Sequence, residues 1–391
     1  MNAQASIQMT RPANGSAGAR ADAADDRRFM ALALALGRRG LGRTWPNPAV
    51  GAVIVNDGII VGRGWTQTGG RPHAEVEALR RAGDAARGAT LYVTLEPCSH
   101  HGKSPPCADA VVAAGVAGVV SALDDPNPKV SGQGYARLRA AGITVITGVG
   151  ADEARRDHAG HIRRMGDGRP NVTLKLAVSA DGKVGAAGRK PLALTGAETR
   201  ARVHLLRAQS DAIMVGVGTV LADDPFLTCR LPGMEKDSPV RIVLDSALRL
   251  PPSSRLAQTA RQTPVWAVCG ADAPRAAEQA LLAHGVEVLR VEMSRPEQKA
   301  GRLDLAAVLK LIAGRGITRL MVEGGPTVAA SLVAADLVDE AILFRSPTSV
   351  GAAGIDALEG LPLTALTQSP RLKAVAAAPI GDDVCDVYGR R

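Results

Sequence analysis

Twice along this chain, short β-branched runs alternate with helical segments, and that alternation restricts it to layered α/β architecture. The first series opens with a helical pattern from Asp25, "DDRRFMALALAL", whose acidic start and Ala/Leu body suit a helix N-terminus and its buried face. The Asn56-Asp57-Gly58 turn between two β-branched runs predicts a hairpin. Helix (about 74–82), strand (89–95), helix (107–115), strand (116–122), helix (134–141) and strand (143–147) follow, so the sheet is largely parallel after the hairpin. A second series places strands near 171–178, 212–216, 240–244, 264–268, 286–291, 318–322 and 338–344, with helices near 197–208, 273–284, 304–314 and 326–334. Residues 151–170, "ADEARRDHAGHIRRMGDGRP", are polar and end in Gly-Asp-Gly-Arg-Pro, which reads as a connecting helix and linker between domains 25–150 and 171–391. Residues 1–24 read as a loose tail, because they lack the apolar stretch of a secretion signal. Residues 346–391 carry few motifs and are expected to be sheet-edge and surface elements.

Composition narrows the function. A hydrophobic share of 46% with 22% charged residues supports ordinary buried cores. Aromatic residues, at 2%, are too few for a platform that stacks single-stranded nucleic acid. The net charge of +9 is carried mostly by scattered arginines, which suits anionic ligands rather than a nucleic-acid patch. Five dispersed cysteines do not make a disulfide framework and point to the cytoplasm. No apolar run reaches the roughly 20 residues that a membrane helix needs.

Chemistry concentrates in "PHAEVEAL" and "LEPCSHHGKSPPC". His73 sits where a Pro-preceded loop enters a helix, Cys98 closes a strand, and Cys107 opens the next helix, whose free N–H groups favour a thiolate. One histidine and two cysteines would hold one Zn2+ per chain and leave a position for water, as catalytic zinc sites do. Zinc brings the pKa of such a water to roughly 7. Glu75, two residues past His73, is the candidate proton shuttle. A closed four-ligand structural site of His100 and His101 with Cys98 and Cys107 is a competing reading, and Glu96 reads as structural. The order His-x-Glu … Pro-Cys … Cys belongs to zinc deaminases, but here eight residues rather than the commoner two separate the cysteines.

"TWPNPAVGAVIV", "HAEVEAL", "TLEPCSHHGKSPPC" and "DDPNPKVSGQG" closely resemble the deaminase half of the bifunctional riboflavin-biosynthesis deaminase-reductases over residues 25–150. The resemblance implies a cytidine-deaminase-like α/β/α sandwich with His73, Cys98 and Cys107 on zinc, Glu75 as catalytic residue, and Asn47 and Lys103 lining the pyrimidine pocket. The implied substrate is 2,5-diamino-6-(5-phosphoribosylamino)pyrimidin-4-one, which loses its 2-amino group as ammonia.

In the second half, Val-Glu-Gly-Gly-Pro-Thr runs from an apolar strand into a helix, where glycines admit a ligand and free N–H groups favour phosphate. Alone, this is as well explained as strand-to-helix punctuation, Arg207 and Arg230 as solvated arginines, and Asp223-Asp224-Pro225 as a turn. Together with "NVTLKLAVSADGKVG", "HLLRAQSDAIMVGVGTVLADDPFLTCR" and "RIVLDS", it resembles the reductase half of the same family over about 171–345. That implies a dihydrofolate-reductase-like domain in which Ala177, Thr219, Asp223, Ser246, Gly325, Pro326, Thr327, Val328, Ala329, Ala330 and Ser331 contact NADPH. Arg207, Leu227, Arg230 and Glu323 would bind the phosphorylated pyrimidine substrate. The segment Pro191-Leu192-Ala193-Leu194-Thr195 departs from the family's Ser-x-Trp-Ile-Thr, and His161 stands where the connecting helix usually has an aromatic residue. The expectation is a bifunctional cytoplasmic enzyme, with a homo-oligomer suggested by the family. A deaminase with a degenerate second half and a nucleic-acid-binding zinc module are the rival readings.

Overall fold

The computed structural model describes residues 23–102, 104–189, 192–293 and 301–391. The first half contains α1 (Ala23–Arg38), β1 (Gly51–Asn56), β2 (Ile59–Trp65), α2 (Ala74–Ala82), β3 (Thr90–Val93), α3 (Cys107–Ala113), β4 (Gly118–Ser121), α4 (Gln133–Ala140) and β5 (Thr144–Thr147). Asp57 (φ 49°) and Gly58 (φ 74°) form the hairpin turn, since two successive positive φ values match the right-handed twist of paired strands. The sheet runs β2-β1-β3-β4-β5, antiparallel across β1 and parallel from β3 onward. Interior strand β1 is buried on both faces, which explains its unbroken apolar run. Phe29, Met30, Ala33 and Leu34 of α1 cover one face, while α2, α3 and α4 cover the other through Ala78, Val111 and Leu138.

Two strand glycines set how closely these helices lie. A Cβ on Gly51 would sit 1.8 Å from the Ala33 carbonyl oxygen, and one on Gly64 would sit 2.2 Å from that of Ala74. The start of α2, next to His73, is therefore fixed by the absence of a side chain on β2.

The connector is helical, as expected, but packed rather than loose. It forms two helices, α5 (Ala151–Asp157) and α6 (Ala159–Asp167), separated at His158 (φ −96°, ψ 10°). Asp157 binds Arg38 of α1 at 2.8 Å, and His158 meets Thr94 at 3.0 Å. His161 meets Asp125 at 2.9 Å. On the other side, Arg164 donates to the Ala313 carbonyl and Arg319 to that of Asp157. Burial holds the His158 pKa down at about 3, so this histidine is neutral. The polar sequence is thus consumed by partners on both flanks, which composition alone does not reveal.

The second half builds β6 (Asn171–Val178), β7 (Lys183–Gly185), α7 (Ala197–Ala208), β8 (Ala212–Gly216), α8 (Val217–Asp223), β9 (Val240–Leu244), α9 (Arg255–Gln258) and β10 (Val265–Gly270). It continues with α10 (Arg275–Ala283), β11 (Glu287–Val291), α11 (Leu305–Gly314), β12 (Arg319–Val322), α12 (Pro326–Ala334), β13 (Glu340–Arg345), β14 (Ile355–Asp356), α13 (Thr364–Thr367), β15 (Leu372–Ile380) and β16 (Asp383–Arg390). The nine-stranded sheet runs β11-β10-β9-β8-β12-β6-β13-β16-β15, parallel up to β13 and antiparallel beyond. The chain leaves β6 toward β11, then returns to insert β12 between β8 and β6. Ligands of open α/β sheets bind outside the carboxyl ends of strands at such a reversal. The expectation for the C-terminus holds for β15 at the sheet edge, whereas β16 lies inside the sheet.

Gly64→Val should drive α2 off β2 and cost about 3 kcal/mol, since overpacking here meets backbone rather than a movable side chain. Chemical denaturation should show a lowered midpoint for the first half.

Candidate active sites

In the first half, the helix starts bring the reactive groups together. His73 is the extended residue that precedes α2 (φ −71°, ψ 160°), and Cys107 is the first residue of α3. Cys98 arrives from the strand side, just past β3. His73 Nδ1 lies 3.8 Å from Cys98 Sγ and 3.3 Å from Cys107 Sγ, and all three donors fall within 4.8 Å of one another. A tetrahedral zinc with bonds of about 2.3 Å to sulfur and 2.0 Å to nitrogen separates such donors by about 3.6 Å, so the set fits one zinc ion. His100 and His101 are exposed and outside this cluster, which removes the closed four-ligand reading.

The cysteines divide their roles. Hydrogen bonding from the Cys107 side chain, then contacts with His73, bring the Cys98 thiol down to about 4 against the effect of burial. The Cys107 backbone N–H adds a bond to Cys98 Sγ at 3.3 Å. Pairing with Cys98, together with burial, pushes Cys107 upward. Glu75 is 3% exposed, and burial raises its carboxyl to about 7, opposed by nearby His73. Asn47 donates to the Gly70 carbonyl at 2.8 Å and lies 3.2 Å from His73 Nε2, so it stands behind the candidate ligand. Lys103 lies outside the described residues. Arg71, which the sequence reading passed over, hydrogen-bonds Ser104 and so braces the loop between the cysteines. Glu96 is structural: its carboxylate accepts from the backbone N–H groups of Asp125, Gly132, Gly134 and Tyr135.

In the second half, α12 starts at Pro326 after Gly325 (φ 4°, ψ 169°). A Cβ on Gly325 would lie 3.1 Å from Thr219 Oγ1, so α8 and the Gly-Gly turn form one wall. Ser246, Thr327, Val328 and Ser331 line a cavity of about 600 Å³. Ala329 and Ala330 instead point into the core beneath α12. Ala177 lies on β6 and is half-buried, while Asp223 ends α8 on the surface. A glycine-walled approach to a helix N-terminus that opens into a cavity fits a dinucleotide.

Glu323 and Arg207 are paired twice, Nε to Oε1 at 2.7 Å and Nη2 to Oε2 at 2.9 Å. Arg207 also donates to the Thr228 carbonyl at 3.1 Å. Burial would raise the Glu323 carboxyl, but Arg207 and then Lys175 outweigh it and hold it down at about 2. Lys175 on β6, 3.9 Å from Glu323, was missed from sequence because nothing local marks a strand lysine as buried; that burial lowers its pKa. Arg230 is exposed nearby, its N–H bonded to His204 Nδ1 at 3.3 Å, and Leu227 is buried with φ 55°. Pro191 lies outside the described residues; Leu192–Thr195 form a loop before α7.

Comparison with known proteins bears on both halves. Residues 23–123 match the cytidine and deoxycytidylate deaminase zinc-binding region, and residues 170–385 match the RibD C-terminal domain. The riboflavin biosynthesis protein RibD of Escherichia coli is 43% identical over 373 residues, covering 92% of this chain and 98% of that protein. The chain belongs to the RibD family. The RibD protein of Aquifex aeolicus is 38% identical over 93% of this chain and 98% of its own length. Among solved structures, Acinetobacter baumannii RibD superposes with a TM-score of 0.83 at 34% identity, covering 95% of this chain and all of that one. A deaminase/reductase from Thermotoga maritima gives 0.80 at 34% identity, covering 94% of this chain and 99% of that one. As in RibD proteins, a zinc deaminase domain and an NADPH-dependent reductase domain share one chain, which sets aside the nucleic-acid-binding reading.

Metal analysis of the purified protein should give about one zinc per chain, and Cys107→Ser should lower that several-fold, because one of three protein ligands is replaced by a poorer donor.

Proposed function

We infer that the chain removes the 2-amino group of 2,5-diamino-6-(5-phosphoribosylamino)pyrimidin-4-one and then reduces the ribosyl chain to give 5-amino-6-(5-phosphoribitylamino)uracil. The observation that carries this reading is that a His73/Cys98/Cys107 cluster beside buried Glu75, and a cavity lined by Ser246, Thr327, Val328 and Ser331, lie on one chain that RibD proteins match over 92% of its length.

For deamination, His73, Cys98 and Cys107 would hold zinc. Bound zinc supplies the Lewis acidity that makes water a nucleophile at neutral pH. Glu75 moves the proton: its buried carboxylate would accept one from water and pass it to the departing amino group, which leaves as ammonia. Asn47 orients His73 and lines the pyrimidine side, with Lys103 assigned to the same pocket. For reduction, Thr219, Asp223, Ser246, Gly325, Pro326, Thr327, Val328 and Ser331 would hold NADPH, and Ala177 would approach it from β6. NADPH supplies hydride to the sugar C1′, and its chemistry needs the protein mainly for positioning. Arg230 and the Arg207–Glu323 pair would bind the phosphoribosylamino group, and Leu227, packed in the core, would border it. Arg207 commits its fork to Glu323, so Arg230 is the cation left for phosphate.

Two further assignments rest on surface and thiol chemistry. All five cysteines are free, which suits the cytoplasm; among the described residues no helix is long and apolar enough to cross a membrane. Strand β15 leaves seven consecutive residues exposed, of which only Lys373 is charged, along the sheet edge. Open apolar edges recruit other strands, and a second copy paired about a two-fold axis would cover this one. Val375→Lys should then shift the protein from dimer to monomer in analytical ultracentrifugation.

The discriminating assay supplies each intermediate separately and follows ammonia and NADPH. Glu75→Gln should keep its zinc, lose about 10²–10⁴-fold in deamination, and oxidise NADPH normally when given the deaminated intermediate. Ammonia release with no NADPH oxidation by the wild-type chain would instead favour the deaminase-only reading suggested by the 191–195 segment.

A further inference from the structure

The cavity of about 600 Å³ lies between the start of α11, the body of α12 and the carboxyl end of β9. It falls within the roughly 300–1,000 Å³ of pockets that enclose small organic ligands. Leu244, Leu303 and Leu337 make its walls largely apolar, suited to a flat heterocycle. Arg302 also lines it, on the segment that leads into α11, and has no part in the cofactor contacts assigned above. Its Nη1 donates to Ser331 Oγ at 3.1 Å. The Ser331 hydroxyl in turn donates to the Thr327 carbonyl at 2.8 Å, so the guanidinium is docked on the first turns of α12.

The nearest acid on the cavity wall is already committed. Asp304 precedes α11 as its capping residue, and its Oδ1 accepts from the N–H groups of Ala306 and Ala307 at 2.9 and 3.2 Å. Among the described residues, no carboxylate forms an ion pair with Arg302. One nitrogen of its fork is tethered, which leaves Nε and Nη2 for a ligand. Arg302 is exposed, at the mouth of a largely apolar cavity, and is the cation on its wall. A dinucleotide seated with its pyrophosphate at Gly325–Thr327 and its heterocycle among the leucines would bring the adenosine ribose to this mouth.

The geometry points to Arg302 as the residue that reads the 2′-phosphate of NADPH and so selects it over NADH. A guanidinium suits a phosphate monoester because its planar donors bind two oxygens at once. The assignment rests on NADPH occupying this cavity.

Calorimetric titration of the full chain with NADPH, NADH and adenosine 2′,5′-bisphosphate, with no pyrimidine present, separates the two claims. Wild type should bind NADPH at least tenfold more tightly than NADH. Arg302→Leu should lose most of that ratio and most of its affinity for adenosine 2′,5′-bisphosphate, with NADH affinity changed less than twofold and an unchanged Tm. Arg302→Lys should recover part of the ratio. Arg249, on the loop beyond Ser246 and absent from the cavity wall, serves as control, and Arg249→Leu should keep the wild-type ratio. An Arg302→Leu protein with its NADPH/NADH ratio intact, or with both cofactors weakened equally, overturns the assignment, as does transfer of the effect to Arg249→Leu. Failure of the wild-type chain to bind either dinucleotide would instead overturn the placement of NADPH.

Discussion

One buried carboxylate organises the first site. Glu96 sits directly before Pro97-Cys98 and gathers four backbone N–H groups from residues 125–135. Burial alone disfavours its charge and raises its pKa, and the four N–H groups act in the opposite direction. The strand end that carries Cys98 is thereby locked to the loop that carries Asp125. Asp125 meets His161, and His161 belongs to the connector. Displacing Glu96 would disturb a candidate metal ligand and the joint between the halves together.

The two sites solve their electrostatics differently. In the first, a cluster of thiols and a buried carboxyl suits a divalent cation, which would neutralise them. In the second, charge is balanced within the protein, where Glu323 is satisfied by Arg207 and Lys175 before any ligand arrives. Breaking one partner of such a pair leaves a buried charge, which costs more than the pair contributes when intact. The glycines follow the same division. Gly64 brings a helix down onto a strand, whereas Gly325 opens a path to a helix N-terminus.

Much of this could be read from the residues in order. The hairpin at Asp57-Gly58, the helix starts at Ala74, Cys107 and Pro326, and most strands of both sheets follow from local chemistry that the fold leaves unchanged. The metal cluster was legible because its three segments each carry a distinctive residue type beside a proline or a glutamate. What stayed hidden depends on partners distant in sequence. Lys175 looks like any strand lysine until β12 places Glu323 beside it. Helix α8 was concealed because the turn at Asp223-Asp224-Pro225, which the structure keeps, also marks the end of a short helix before it. The connector's polarity suggested solvent because its partners, Thr94, Asp125 and Ala313, lie in both halves.

That connector also changes what it means to call the molecule two enzymes. A flexible tether can be cut, lengthened or exchanged with little effect on what it joins. This one buries His158 and His161 and holds Gly160 so near the Thr318 carbonyl that a Cβ would approach it to 2.7 Å. A gene divided here would expose two imidazoles and strip Thr94 and Asp125 of their partners. Separating the activities onto independent chains would therefore require a rebuilt surface on each half where the connector now packs.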